Sequence, residues 1–321
     1  TLFRSLAFSQ QDTRYDAGMN LPFNEKAGDV NPQTGNLTLG ASDVSLPGRA
    51  GMDFSFGRSW SLNQANVFTM LRNQVDGSNN INSDTIEKYN NLGVGWSAGI
   101  PYIFFDASSG NEVTNLCLGG GVYQIDTTGA QTWDPTKSNI LWYDLLDLRV
   151  YTGAKGNAFS YADGGTIPAG YGITDLPGDR SEFVLIMKDN SKYYFRPDGK
   201  LLMQQDKSGL NRIWYYYDAE SKLKLVVDTI GRHIKFSYDT FGNLSTIEWD
   251  VEIGVKETNG TRHKVTETRS VQYIYESAEG YGEVLSLKNG VVDYEEPFVL
   301  IGVIDPMGNH TRYEYEAGYA E

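Results

Sequence analysis

The sequence is short of cysteine, histidine, basic charge and long apolar runs. Its one cysteine, Cys117, excludes a disulfide within the chain. No histidine lies near Cys117 in sequence to activate it, so it reads as a small apolar residue. The three histidines, His233, His263 and His310, stand at no metal-ligand spacing from one another or from the cysteine. Lys and Arg number 27 against 41 Asp and Glu, for a net charge of -14, and both sides of residue 160 are acidic. Such a chain lacks the clustered cations that displace counterions from nucleic acid or hold an anionic lipid surface. No nucleic-acid partner is expected. No apolar run reaches the roughly 18 residues of a membrane-spanning helix, and no signal peptide is visible.

Catalytic motifs are missing as well. Gly119-Gly120-Gly121 is not followed by the Gly-Lys-Ser/Thr of a phosphate loop. Gly95-Trp96-Ser97 is not read as a nucleophile elbow. Carboxylate neighbours such as Asp144 and Asp147, or Glu295 and Glu296, fit turns and surfaces as well as a glycosidase pair. No Asp-x-Asp-x-Asp-Gly calcium loop occurs. The expectation is therefore a protein that is not an enzyme, with no catalytic residue, no cofactor and no metal.

What is abundant is aromatic and glycine: Tyr 21, Phe 14, Trp 6 and Gly 35. Aromatic residues favour a pleated, half-buried surface, and glycine supplies the positive-φ positions of tight turns. Helical periodicity is scarce, and short alternating runs bounded by Gly, Asn, Asp or Pro dominate. The expected fold class is all-β. Strands are expected at Leu37–Leu39, Asp53–Trp60, Tyr102–Phe105, Val122–Ile125, Leu141–Tyr143 and Phe183–Met187. A polar surface loop is expected over Asn73–Asn91. The glycine-rich stretch Gly153–Pro177 marks the boundary between two regions. The division is an irregular segment 1–30, a β-rich region 31–177 and a repeat region 178–321.

The repeat carries the information. A turn signal Asp-x-x-Gly occurs at Asp206–Gly209, Asp228–Gly231 and Asp305–Gly308, each followed by an aromatic strand. Those strands end in Tyr215-Tyr216-Tyr217-Asp218, Phe236-Ser237-Tyr238-Asp239 and Tyr313-Glu314-Tyr315-Glu316. A second turn, such as Phe241-Gly242 after Asp239, leads to a second strand beginning Lys200-Leu201, Lys222-Leu223 or Asn243-Leu244. The unit is strand, turn, strand, turn in roughly 21 residues. Residues 250–304, polar from Glu252 to Lys264, read as an expanded unit with a longer hairpin. Alternate aromatics project to one face of their strand. One hairpin cannot bury that face alone, so successive hairpins must pair into a continuous sheet. The expected structural ladder is Tyr194, Tyr215, Tyr217, Phe236, Tyr238, Tyr313 and Tyr315, held by turns at Asp206, Gly209, Asp218, Asp228, Gly231, Asp239, Gly242, Asp305 and Gly308.

The frame from Gly231 through Phe236-Ser237-Tyr238-Asp239 to Gly242 and Leu244 resembles the YD repeat of Rhs proteins, a group that includes teneurins, wall-associated repeat proteins and Tc-toxin shell subunits. Ser221 departs from it, standing where Gly is common. Asn31-Pro32-Gln33-Thr34-Gly35-Asn36-Leu37, Asp43 to Arg49, Phe56-Gly57-Arg58-Ser59-Trp60 and Leu92 to Ser97 resemble the segment preceding the repeats in bacterial members, with Ser59-Trp60 where Thr-Tyr is frequent. The resemblance covers roughly residues 30 to 316. It implies an antiparallel sheet that spirals into a hollow shell enclosing or presenting a C-terminal toxin domain. The partners would then be further repeats and a payload on the same polypeptide, in a secreted or cell-surface bacterial protein. The alternative is a cell-surface module whose exposed aromatics, such as Trp60, Trp96, Trp142 or Trp214, bind glycans.

Overall fold

The computed structural model describes residues 29–30, 37–61, 92–93, 95–106, 113–118, 121–125, 149–152, 169–171, 173, 181–258, 261–277, 286–288, 291–293 and 298–315. The strand expected at Leu141–Tyr143, the loop over 73–91, Trp142, both carboxylate pairs and the first 28 residues lie outside the described residues.

Every described strand pairing is antiparallel. Strands β1 (Asp29–Val30), β2 (Leu37–Leu46), β3 (Phe54–Ser61) and β4 (Trp96–Ala98) form one four-stranded sheet in chain order. A three-stranded sheet follows from β5 (Tyr102–Asp106), β6 (Val113–Leu118) and β7 (Gly121–Ile125). The large sheet has 11 strands. It begins with β8 (Arg149–Thr152), β9 (Phe183–Ile186), β10 (Lys192–Phe195), β11 (Leu201–Gln205) and β12 (Arg212–Tyr217). It continues through β13 (Leu223–Val227), β14 (His233–Tyr238), β15 (Leu244–Lys256) and β16 (Arg262–Ser277). A separate hairpin, β17 (Ser286–Lys288) and β18 (Val291–Asp293), precedes the last two strands of the sheet, β19 (Phe298–Ile304) and β20 (His310–Arg312). Neighbours in the large sheet are neighbours in sequence apart from that inserted hairpin, so the sheet is a meander whose outermost strands, among the described residues, are β8 and β20. Among the described residues the one helical element is the 3-10 turn Arg49–Gly51.

Burial follows the alternation of the sequence. In β14, Ile234 and Phe236 are buried while His233, Lys235 and Ser237 are exposed. One face of the large sheet carries Phe195, Tyr215, Tyr217, Ile234, Phe236, Ile247, Tyr273 and Leu300, and on it sit Val44, Phe54, Phe56, Trp60 and Trp96 of the first sheet. The packing is sheet on sheet, and apolar burial holds it. A smaller core lies on the opposite face, where Val184, Tyr194, Met203, Trp214, Tyr216 and Leu225 pack with Tyr171 and Ile173. Strand β12 is therefore covered on both sides, and Ile213 through Tyr217 are all buried. The large sheet already includes β8, ahead of the boundary expected at 177, and the region before that boundary shares its core with the repeats.

Candidate functional site

The turns at the two ends of each module have one geometry. In each, the first residue accepts a backbone hydrogen bond from the residue three later: Gly199 to Arg196, Ser221 to Asp218, Gly231 to Asp228, Gly242 to Asp239 and Gly308 to Asp305, at 2.9–3.1 Å. The donor of each has positive φ, from 60° at Ser221 to 91° at Gly242. In four of them the first residue is an aspartate whose side chain locks the loop. Oδ1 of Asp228 accepts from the Ile230 and Arg232 amides at 3.0 and 2.9 Å. Asp239 receives Phe241 and Asn243 in the same way, and Asp305 receives Met307 and Asn309. The second carboxylate oxygen binds the side chain four residues on: Arg232 at 2.6 Å, Asn243 at 3.1 Å and Asn309 at 2.8 Å. Asp218 repeats the amide contacts with Glu220 and Lys222. The Asp206 loop is one residue longer, so Asn211 rather than the fourth residue closes it. That insertion leaves Leu210 85% exposed. Desolvation pushes the Asp206 carboxyl up, but hydrogen bonds from the Asn211 and Ser208 side chains and from the Asn211 and Gly209 amides together hold it below its ordinary range.

The second recurring device is a bulge. Register shifts fall just before an aromatic at or near the end of four strands, between Tyr194 and Phe195, Tyr216 and Tyr217, Ser237 and Tyr238, and Ile274 and Tyr275. A leucine of the partner strand stands opposite that aromatic, opening the strand at Leu201, Leu223 and Leu244 and lying third in β19 at Leu300. The carbonyls of those leucines accept hydroxyl hydrogen bonds from the strand on the other side. Tyr217 bonds Leu201, Tyr238 bonds Leu223 and Tyr275 bonds Leu244, all at 2.8 Å, and Tyr315 bonds Leu300 at 2.6 Å. Leu201, Tyr217, Leu223, Tyr238, Leu244, Tyr275, Leu300 and Tyr315 thus form one ladder. Its rungs alternate between backbone pairing and a tyrosine hydroxyl.

Of the residues expected in the ladder, Tyr217, Tyr238 and Tyr315 are brought together by these hydroxyls. Tyr215, Phe236 and Tyr313 lie in the same core one pleat repeat earlier on their chain segments. Tyr194 belongs to the opposite face, with Trp214 and Tyr216. Tyr275 and Tyr273 complete the set, although the sequence reading did not include them.

The first sheet is clasped to this ladder by a buried ion pair. Phe54, Phe56, Arg58 and Trp60 alternate along β3 and face inward, so Arg58 is carried into the core. Asp43 sits at the β2 register shift between Ser42 and Val44, and such a bulge re-aims a side chain. Arg58 Nε lies 2.9 Å from Asp43 Oδ2, with the side chains 1% and 4% exposed. The Tyr273 hydroxyl donates to Asp43 at 2.8 Å, and Arg58 Nη1 donates to the Tyr313 hydroxyl at 2.5 Å. The guanidinium also stands 4.7 Å from the Trp96 ring and 5.1 Å from that of Tyr313. Burial alone would favour the neutral form of Arg58, but Asp43 and the tyrosines hold it firmly protonated. Burial, then Asp43, pushes the Tyr273 hydroxyl far above its ordinary value, so it stays a neutral donor. Trp96 Nε1 donates to the Tyr315 hydroxyl at 2.9 Å, joining clasp to ladder.

Other candidate chemistry is scattered or structural. A cavity of about 80 Å³ lies at the seam, lined by Phe56, Leu92, Tyr102, Lys200, Tyr217 and Tyr238 among others. The Lys200 ammonium there donates to the Ser221 carbonyl and lies 5.5 Å from the Tyr217 ring. Burial raises the Cys117 thiol above its ordinary value, which disfavours a nucleophile. Gly95-Trp96-Ser97-Ala98-Gly99 does carry Gly-x-Ser-x-Gly spacing, a match the sequence reading passed over. Ser97 nevertheless lies on β4 and hydrogen-bonds Ser59 at 2.9 Å, not at a strand-to-helix elbow. His233 bonds the Tyr171 hydroxyl at 2.9 Å, and His263 lies 3.4 Å from Glu257. Among the described residues no three His, Cys, Asp or Glu side chains converge as metal ligands do. Trp60, Trp96 and Trp214 are 1%, 1% and 6% exposed, leaving no face open to a sugar ring. Comparison of the sequence with protein-family models and with curated proteins finds no match.

Proposed function

We propose that the chain is a scaffold segment of an Rhs or YD-repeat shell, which helps to enclose or present a C-terminal toxin domain of a secreted or cell-surface bacterial protein. The observation that carries this reading is the tyrosine–leucine ladder. Within each hairpin the closing aromatic pairs with a leucine by backbone, and a tyrosine hydroxyl ties that hairpin to the leucine carbonyl of the one before it, so the same rule can add further hairpins. A device of this kind extends a wall and performs no chemistry. The turn aspartates Asp218, Asp228, Asp239 and Asp305 are engaged by turn amides, a structural use of these carboxylates. The clasp of Arg58 and Asp43 supports a second element of the proposal, in which the first sheet caps one face of the growing wall. The spiral closure of the wall is part of the proposal.

The test is limited proteolysis of the whole polypeptide that contains this chain, with electron microscopy of the same sample. A C-terminal portion protected inside a protease-resistant hollow particle is the expected result. A parent polypeptide without further hairpin modules, or one whose C-terminal portion is digested while the repeats stay intact, removes the shell reading.

A further inference from the structure

Hairpin β15–β16 runs on past the sheet that holds its base. Strand β14 pairs with β15 only from Leu244 to Trp249, and β19 pairs with β16 only from Gln272 onward. The segment from Asp250 to Lys256 therefore has β16 on one side and no strand on the other among the described residues. Natural sheets blunt such an edge with a proline, a bulge or a short strand. This one has none of these. Charged side chains also blunt edges, and those present here, Asp250, Glu252 and Lys256, are of both signs and so leave room for self-pairing. Thr246 to Lys256 pair with Gln272 to Arg262 with no register shift, whereas the hairpins at β10–β11, β12–β13 and β14–β15 are bulged. A two-stranded ribbon standing alone in water is marginal.

The free edge is complementary to itself. Val251, Ile253 and Val255 share one face of the strand, and Asp250, Glu252 and Lys256 share the other. Laid antiparallel on a second copy with Ile253 on the two-fold axis, Asp250 meets Lys256, Val251 meets Val255 and Glu252 meets Gly254. Every apolar residue meets an apolar one, and no like charges oppose. Moving the axis one residue back sets Glu252 against its own copy. Moving it one residue forward leaves Asp250 outside the paired segment. Val255 is 37% exposed, and Val265, on the same apolar face across the hairpin, is 42% exposed. Edge pairing would set the apolar strips of the two copies side by side in one four-stranded sheet.

We infer that the outer edge of β15, from Asp250 to Lys256, pairs with the same edge of a second copy of this chain, forming a two-fold, four-stranded ribbon. The inference does not depend on the shell proposal. The contact is small, so the dimer is weak and depends on protein concentration. Sedimentation velocity of the 321-residue chain across a concentration series tests it. A reversible monomer–dimer equilibrium is expected. Asp250→Lys or Lys256→Asp alone sets like charges at both symmetry-related pairs and should weaken the dimer about tenfold. The double swap, Asp250→Lys with Lys256→Asp, should restore it. Circular dichroism on the same samples shows that each variant is folded. A chain that stays monomeric throughout, a dimer indifferent to the single swaps, or a double variant as weak as the singles each overturns the inference.

Discussion

Arg58 and Tyr313, 255 positions apart in the chain, share a hydrogen bond of 2.5 Å inside the core. The bond couples the first sheet to the end of the large one, and its energetics depend on Asp43. A buried charge that loses its partner costs far more than the pair contributes, because the survivor stays desolvated. Arg58→Ala should therefore destabilise the chain by about 3–5 kcal/mol in urea unfolding. Replacing both partners, Arg58→Met with Asp43→Leu, should cost well below the sum of the single changes. Additive losses would mean that the pair is not coupled as the geometry shows.

The ladder predicts a pattern of additivity. Each Tyr→Phe change at 217, 238, 275 or 315 removes one hydroxyl bond to a leucine carbonyl and should cost about 1 kcal/mol. Tyr217 and Tyr238 share Leu223, which pairs with the backbone of one and accepts the hydroxyl of the other. Tyr217 and Tyr315 share no rung. The double change at 217 and 315 should be additive within about 0.5 kcal/mol, and the double change at 217 and 238 should not. Chemical denaturation of the two doubles against their singles measures this directly.

The modules were legible because their signals are local. Asp228 and Gly231 announce the turn by spacing alone, and Phe236-Ser237-Tyr238 declares which face is inward. The three-dimensional use of those residues was not legible. Nothing local says that the Tyr238 hydroxyl crosses to Leu223, or that Tyr194 falls on the opposite face, where it holds the place of Tyr216 while Phe195 holds that of Tyr217. The clasp was half visible. Phe54, Phe56, Arg58 and Trp60 alternate, so an inward arginine could have been read from β3, but its partner Asp43 depends on a bulge in β2. Residues 250–304 read as an expanded unit with a longer hairpin, polar from Glu252 to Lys264, but the strand alternation of Val251, Ile253 and Val255 within it went unread.

Alkaline pH should loosen the second face before the first. Burial pushes Tyr194 and Tyr216 up to about 12, against an unfolded value of about 10. A phenol raised on folding binds its proton more tightly when native. Its stabilising contribution is complete below pH ~10 and is lost as pH rises through about 12. Tyr215 and Tyr275 on the first face are raised further by burial. An ultraviolet titration of tyrosinate should therefore show a delayed, cooperative step that coincides with loss of β-sheet signal. A smooth titration centred at pH ~10, with the sheet intact, would contradict the burial of these side chains.

The turn positions separate backbone strain from collision. Gly231 has φ of 86° and open space where a Cβ would stand, so Gly231→Ala adds strain alone, about 1–2 kcal/mol. Gly231→Val should cost more, since a β-branched residue is poorly accommodated at positive φ. Gly199 has φ of 80°, and a Cβ there would come within 1.8 Å of the Ile103 carbonyl oxygen. Gly199→Ala must therefore also displace β5, whose Ile103 amide donates to the Gly199 carbonyl at 2.8 Å. Its cost should exceed that of Gly231→Ala by at least about 1 kcal/mol. Ser221 reverses the sign: it already sits at φ of 60°, so Ser221→Gly relieves strain. The weak 3.4 Å bond from Ser221 to Asp198 is lost in that change. A net gain of about 0.5–1 kcal/mol is expected, moderated by the freedom glycine adds to the unfolded chain. Thermal unfolding of the three variants should rank Ser221→Gly above the parent, then Gly231→Ala, then Gly199→Ala. Any other order would mean that the positive φ shared by Gly199, Ser221, Gly231, Gly242 and Gly308 does not set the stability of these loops.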